Sequence, residues 1–129
     1  MTLYVETSAA AKLLVEESDS GRLAARLDSA VNSADALLSS MLLETELRRF
    51  AVRVDLAQIA VTRLLERFDL VETDRSLYRE AGLLPGRYLR SLDALHLAVA
   101  LRVGADVMVT YDRRQADAAE AAGLPVLAP

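Results

Sequence analysis

Short apolar segments alternate with longer helical stretches along the whole chain, and this alternation is the strongest constraint on the fold. The predicted order of elements is β-α-α-β-α-α-β-α-α-β-α-β. Strands that are apolar on both faces and connected through helices form parallel sheets with helices on both sides. We therefore expect one α/β domain over residues 1–129, with a mainly parallel central sheet in a three-layer sandwich. The predicted strands are 3–5, 36–40, 70–71, 107–111 and 125–127.

Capping residues predict where several helices begin and end. Thr7 and Ser8 are candidate N-caps for a helix over 9–17, and Asp55 is a candidate N-cap for the helix that follows residue 54. Gly104 is expected to end the helix before it, because glycine readily adopts the positive φ that the position after a helix needs.

The composition narrows the possible metal sites and cellular locations. The chain has no cysteine and one histidine, so a thiolate site and a zinc site of several imidazoles are both excluded. A metal here would need oxygen ligands, which favours Mg²⁺ or Mn²⁺. No apolar run approaches the roughly 20 residues that span a bilayer, and no signal peptide is evident, so we expect a cytoplasmic protein without membrane contact. The net charge of −4 argues against a broadly basic nucleic-acid binder.

Four acidic residues are candidates for a catalytic metal site. Glu6 directly follows the first predicted strand, and Asp112 directly follows the strand that ends at Tyr111. Ligands of parallel sheets bind beyond the carboxyl ends of the strands, so both carboxylates are expected at that edge. Asp93 and Glu46 interrupt or border the apolar faces of two predicted helices. Four converging carboxylates repel one another unless a divalent cation neutralises them or some of them are protonated. The first case indicates metal-assisted phosphodiester hydrolysis.

Each of these acids also has a purely structural explanation. Glu6 and Asp112 could be caps at strand-to-helix turns, and an acid such as Asp93 is favourable near a helix start. Glu46 could pair with an arginine on its own helix. Only their combination in one α/β chain favours a site.

Several neighbouring residues are candidates for supporting roles. Ser8 and Thr110 could orient Glu6 or a metal-bound water, although helix capping explains Ser8 equally well. His96 is expected to be a packed, hydrogen-bonded residue rather than a ligand or base. Arg113 and Arg114 could contact RNA phosphates, although a solvated helix face would also account for them.

Three motifs give the chain a resemblance to a known family. The motifs resemble those of the PIN domains of VapC toxins. They are an apolar strand followed by Glu-Thr-Ser-Ala in residues 3–12, a helix with Asp-Ala-Leu-His in residues 91–98, and a strand end with Val-Thr-Tyr-Asp-Arg in residues 109–113. Glu46 fits the second acid of that family, and the resemblance runs in order along essentially the whole chain.

The resemblance implies a fold, an activity and partners. It implies a PIN-like sandwich and a metal-dependent endoribonuclease that acts as the toxin of a type II toxin–antitoxin system. It also implies a VapB-type antitoxin, an RNA substrate, a homodimer, and Mg²⁺ or Mn²⁺ at Glu6, Glu46, Asp93 and Asp112.

The chain departs from the family at its first acid, where Glu6 replaces the usual aspartate. The extra carbon–carbon bond lengthens the side chain by ~1.5 Å, so we expect weaker metal binding and slower cleavage than with aspartate. The alternative is a catalytically silent PIN-like module that binds an antitoxin or RNA. A receiver-type domain with an aspartyl-phosphate is disfavoured, because Glu6 has the wrong length and no glycine-rich phosphate loop is present.

Overall fold

The computed structural model describes all 129 residues and contains five strands and seven helices. The strands are β1 (Thr2–Val5), β2 (Ala36–Ser40), β3 (Asp69–Val71), β4 (Val107–Val109) and β5 (Val126–Leu127). The helices are α1 (Thr7–Ala11), α2 (Ser20–Asn32), α3 (Leu42–Arg53), α4 (Gln58–Leu65), α5 (Arg75–Leu83), α6 (Ser91–Arg102) and α7 (Arg113–Ala121). This sequence of elements confirms the predicted order. None of the helices has the length and apolar character needed to cross a membrane.

All strands pair in parallel, in the spatial order β3-β2-β1-β4-β5. β1 lies at the centre, with Leu3 beside Leu37 of β2 and beside Val107 of β4. Because the strands are parallel, the carboxyl ends of β1, β2 and β4 meet at one edge of the sheet, and α1, α3 and α7 begin there.

Helices cover both faces of the sheet and form two separate apolar layers. Leu3 and Val5 of β1 face a core that includes Leu47 and is formed mainly by α1 to α4. Tyr4 faces the opposite core, which is formed mainly by α5, α6 and α7. Successive strand residues point to opposite faces, so the central strand contributes to both layers. This arrangement confirms the predicted three-layer sandwich.

The prediction for the first helix was wrong at both ends. α1 spans Thr7–Ala11 rather than 9–17, and its N-cap is Glu6, whose side chain accepts from the amide of Ser8. The helix ends early because the chain folds back on itself after it. Ser20 Oγ donates to the carbonyl of Lys12 at 2.7 Å, which ties this turn to the start of α2.

Other predicted boundaries also differ from the structure. Asp55 has a φ of 58° and lies before α4, whose N-cap is Ala57. A residue in this left-handed conformation belongs to the turn between helices, so it cannot cap the next one. β4 ends at Val109 rather than at Tyr111.

The end of α6 follows the prediction. Gly104 has a φ of +66°, and the amide of Ala105 donates to the carbonyl of Ala100 at 3.0 Å. This bond satisfies a carbonyl near the helix terminus that would otherwise lack a partner.

Truncation of a core leucine tests the helical layer formed by α1 to α4. Leu47 is fully buried within this core, whereas Val52 on the same helix is 57% exposed. We expect Leu47→Ala to lower the free energy of unfolding by about 2–5 kcal/mol, because it removes packed methyl groups and leaves a cavity. Val52→Ala should change it by less than ~0.5 kcal/mol. Equal losses in urea denaturation would contradict the assignment of Leu47 to the core.

Candidate active site

The candidate site lies at the carboxyl edge of the sheet, next to the central strand β1, whose neighbours β2 and β4 lie on opposite sides of it. The chain runs from β1 to β2 on one side and reaches β4 on the other side only after four further helices and β3. Such a switch in strand order opens a crevice at the carboxyl ends of the central strands.

Glu6 lies directly at the end of β1 and is 5% exposed. Its backbone amide donates to the carbonyl of Val109 and continues the ladder between β1 and β4. Its carboxylate accepts three hydrogen bonds, from the Ser8 amide at 2.9 Å, from Ser8 Oγ at 2.6 Å and from Thr110 Oγ1 at 2.5 Å. Both oxygens of Glu6 are therefore held by the protein.

The two hydroxyls that bind Glu6 also accept hydrogen bonds from the backbone beyond β4. Ser8 Oγ accepts from the amide of Tyr111 at 2.9 Å, and Thr110 Oγ1 accepts from the amide of Asp112 at 3.1 Å. Ser8 and Thr110 therefore connect the ends of β1 and β4 through Glu6.

Glu46 projects from α3 toward the same edge and is held by two donors. Its Oε1 accepts from Thr7 Oγ1 at 2.9 Å and is 2.5 Å from His96 Nε2. The other ring nitrogen of His96, Nδ1, is 2.6 Å from the hydroxyl of Tyr4. Burial raises the pKa of Tyr4 far above its usual value, so the phenol keeps its proton.

Asp93 is the acid with the fewest compensating contacts. It lies in the first turn of α6, its side chain is 15% exposed, and its Oδ2 atom is buried without a hydrogen-bond partner. Burial raises the pKa of Asp93 above its usual value, the negative charge of Asp112 adds to that rise, and Arg90 opposes it. The charge of Glu6 also contributes to the rise.

Asp112 is the N-cap of α7, where its Oδ1 accepts from the amide of Gln115 at 3.0 Å. Arg90 bridges the two aspartates loosely, with Nε 3.6 Å from Asp93 Oδ2 and Nη2 4.0 Å from Asp112 Oδ2. The charges of Asp112 and Glu6 both act on Asp93, and Glu46 lies beside Thr7 at the start of α1.

The carboxylates of the four acids do not converge on a single point in the structure. No set of three or more His, Cys, Asp or Glu side chains has the geometry of a metal site. Glu6 and Glu46 are directed toward their hydrogen-bond donors. Even so, the oxygen-only donor set and the unpartnered Asp93 Oδ2 fit a hard cation such as Mg²⁺ or Mn²⁺.

Two cavities flank these acids and carry arginines. A cavity of about 830 Å³ lies between the loop before α6 and α7, and its lining includes Arg87, Arg90 and Arg114 together with the exposed Tyr88. A second cavity, of about 450 Å³, borders Thr7, Ser8 and Glu46 and is lined by Arg49 and Arg53. Arg113, the other predicted RNA contact, is exposed in the first turn of α7.

Arg90, Thr7 and the contact between His96 and Glu46 were not predicted from the sequence. Arg90 is three residues before Asp93, which is a spacing that brings helical side chains together. Thr7 was considered only as a helix cap. His96 was expected to be buried and hydrogen-bonded, and it is 1% exposed with both ring nitrogens engaged, but nothing in the sequence pointed to Glu46 as its partner.

The sequence of this chain is similar to those of known proteins. Residues 3–121 match the PIN domain. The chain is 40% identical to ribonuclease VapC35 of Mycobacterium tuberculosis over 132 residues, covering 98% of this chain and 96% of that protein. It is 37% identical to ribonuclease VapC46 of the same organism over 130 residues, covering 98% and 97% of the two chains.

Two solved structures share the fold at low sequence identity. VapBC2 from Rickettsia felis, bound to a DNA fragment from its promoter, aligns with a TM-score of 0.73 at 14% identity, covering 98% of both chains. FitAB bound to a DNA fragment aligns with a TM-score of 0.73 at 17% identity, covering 97% of this chain and 93% of that one. With a domain match over residues 3–121 and near-full-length relatives, this chain belongs to the PIN-domain family, in its VapC group.

Proposed function

We propose that this chain is a metal-dependent endoribonuclease, the toxin of a type II toxin–antitoxin system, which hydrolyses RNA phosphodiester bonds in the cytoplasm. The observation that carries the proposal is the buried, unpartnered Oδ2 of Asp93 beside two other acids at the carboxyl edge of the sheet. The ribonuclease names of the relatives VapC35 and VapC46 support the reaction class.

In this proposal Asp93, Asp112, Glu46 and Glu6 hold Mg²⁺ or Mn²⁺. When bound, such an ion lowers the pKa of water and stabilises negative charge on a phosphate that is being attacked. Asp93 offers Oδ2, and Glu46 offers Oε2, because its two protein hydrogen bonds both go to Oε1. Glu6 must give up one of its hydroxyl donors, or act through a bridging water, to join this set.

The arginines that line the two cavities bind the RNA strand on either side of the acids. Arg114 and Arg90 lie on one side and Arg49 on the other, so phosphates next to the scissile bond can reach guanidinium groups. Arg113 extends this surface along α7. Single-stranded or loop RNA fits best, because its nucleotides can splay out toward a recessed site.

The proposal includes two protein partners. VapBC2 and FitAB, which share the fold, support a VapB-type antitoxin that blocks the site. A homodimer is the proposed state of the chain itself.

A catalytically silent binding module is the alternative, and the engagement of both Glu6 oxygens is the observation in its favour. We do not favour it, since the full-length relatives are ribonucleases.

Replacement of Asp93 tests the metal-dependent reaction. We expect purified protein to cleave single-stranded RNA with Mg²⁺ or Mn²⁺ and to stop on addition of EDTA. Asp93→Asn should reduce the rate at least about 100-fold, because it removes charge that acts on the reacting centre. Glu44→Gln is the matched control, since Glu44 pairs with Arg48 away from the site and the variant should cleave normally. Cleavage that survives Asp93→Asn or EDTA would overturn the proposal.

The uncompensated charge of Asp93 also predicts a gain in stability on its removal. A carboxyl pKa raised in the folded state means that ionisation opposes folding, so this destabilisation is absent below the unfolded value of about 3.9 and grows as the pH rises above it. In metal-free buffer at neutral pH, Asp93→Asn should therefore have a higher Tm than the wild type, and the difference should vanish at about pH 3. Differential scanning calorimetry measures this, and a lower Tm for the variant at neutral pH would show that Asp93 is compensated within the protein.

Glu6→Asp tests the departure from the family. The shorter side chain is ~1.5 Å less extended and cannot keep all three hydrogen bonds, so its carboxylate becomes available at the site. We expect Mn²⁺ affinity and cleavage to rise, on the order of tenfold. Glu6→Gln keeps the length without the charge and should not show this gain. Equal Mn²⁺ affinity and equal cleavage rates for the wild type and the Glu6→Asp variant, in titration calorimetry and RNA assays, would refute the prediction.

A further inference from the structure

Two buried polar side chains, Tyr4 on β1 and His96 on α6, connect the sheet to the site. Neither has a part in the reaction as proposed. Tyr4 and His96 are 0% and 1% exposed, and they connect β1 to Glu46 on α3. We infer that His96 is a positioning residue that holds Glu46 for a divalent cation, with Tyr4 fixing the proton on the ring nitrogen that faces Glu46. This inference rests on the proposed function, because it assigns Glu46 to the metal site.

In the inferred arrangement the hydrogen bonds run from Tyr4 to His96 and from His96 to Glu46. The hydroxyl of Tyr4 lies 2.6 Å from His96 Nδ1 and can donate its proton to that nitrogen. Accepting at Nδ1 places the imidazole proton on Nε2. Nε2 then donates to Glu46 Oε1 at 2.5 Å. The phenol thereby selects the tautomer that can hold the carboxylate.

The arrangement leaves one Glu46 oxygen for a ligand. Thr7 Oγ1 donates to Oε1 at 2.9 Å and lies 3.3 Å from His96 Nε2, so Oε1 is engaged from two sides. Both hydrogen bonds that the protein donates to this carboxylate end on Oε1, which leaves Oε2 free. A glutamate that is 23% exposed would otherwise sample several rotamers, and holding it in one removes that cost from cation binding.

A direct role of His96 in the reaction is excluded by its surroundings. Both ring nitrogens are engaged within the protein, and the side chain has almost no contact with solvent. It therefore acts through Glu46. Asp93 lies three residues before His96 on α6, so this one helix supplies one acid itself and holds a second acid on α3.

A matched pair of amide variants separates positioning from packing. In His96→Gln the amide nitrogen reaches about as far as Nε2 and can still donate to Glu46, whereas in His96→Asn it is too short. We expect His96→Asn to weaken Mn²⁺ binding by about 10–100-fold, and His96→Gln to stay within a few-fold of the wild type. The Mn²⁺ affinity is measured by titrating metal-free protein with Mn²⁺ in the absence of RNA, with electron paramagnetic resonance as the readout. The Tm of each variant reports the loss of stability that the substitution causes.

Two further variants complete the test. Tyr4→Phe leaves His96 in place but frees its tautomer, so Mn²⁺ affinity should fall several-fold. On a Glu46→Gln background, His96→Asn should cause no additional loss of affinity, because the residue through which it acts is already altered. Glu44→Gln should bind Mn²⁺ like the wild type.

The outcomes distinguish this inference from the proposed function. If the wild type cleaves RNA with Mn²⁺ but His96→Asn binds the ion equally well, only the positioning role is overturned. The positioning role is also overturned if His96→Asn and His96→Gln lose the same Mn²⁺ affinity and that loss follows the decrease in their Tm. If the wild type neither binds Mn²⁺ nor cleaves RNA, the proposed function fails, and this inference fails with it.

Discussion

Parallel pairing of β1 with β2 on one side and β4 on the other is the constraint on which the site depends. Strands that are far apart in the sequence therefore end at a single edge of the sheet. The carboxylates that follow these strands lie at the same edge and repel one another. Glu6 lies 87 residues from Asp93 in sequence, yet its charge contributes to the raised pKa of Asp93. The fold must therefore stabilise several negative charges in a partly buried crevice.

The protein stabilises these charges in different ways. Glu6 accepts hydrogen bonds from an amide and two hydroxyls, Glu46 is held by a histidine and a threonine, and Asp112 accepts from an amide at the amino terminus of α7. Asp93 has only the distant Arg90. Asp93 Oδ2 is therefore the site oxygen that is buried without a hydrogen bond, and a cation would stabilise its charge.

The order of elements was predictable because buried parallel strands and amphipathic helices leave different apolar periodicities in sequence. The four acids could be named because they follow strands or interrupt apolar helical faces. The bounds of α1 were wrong, because Thr7 and Ser8 were taken as its N-caps whereas Glu6 caps it. The contact between His96 and Glu46 spans 50 residues and depends on how α3 and α6 pack, which no local pattern encodes.

The length of the Glu6 side chain has a physical consequence at this position. The side chain reaches Ser8 and Thr110 together, so it connects the ends of β1 and β4 while its carboxylate is engaged by the protein. Stability at the sheet edge and charge available for a cation are thus in opposition at this position.

A crystal structure of the wild-type protein soaked in Mn²⁺, with anomalous difference maps, tests the central claim most directly. We predict one strong peak at the carboxyl edge of the sheet, in contact with Asp93 Oδ2 and at least one oxygen of Glu46 or Asp112. Absence of a peak there under saturating Mn²⁺, or a peak held by other residues alone, would contradict it.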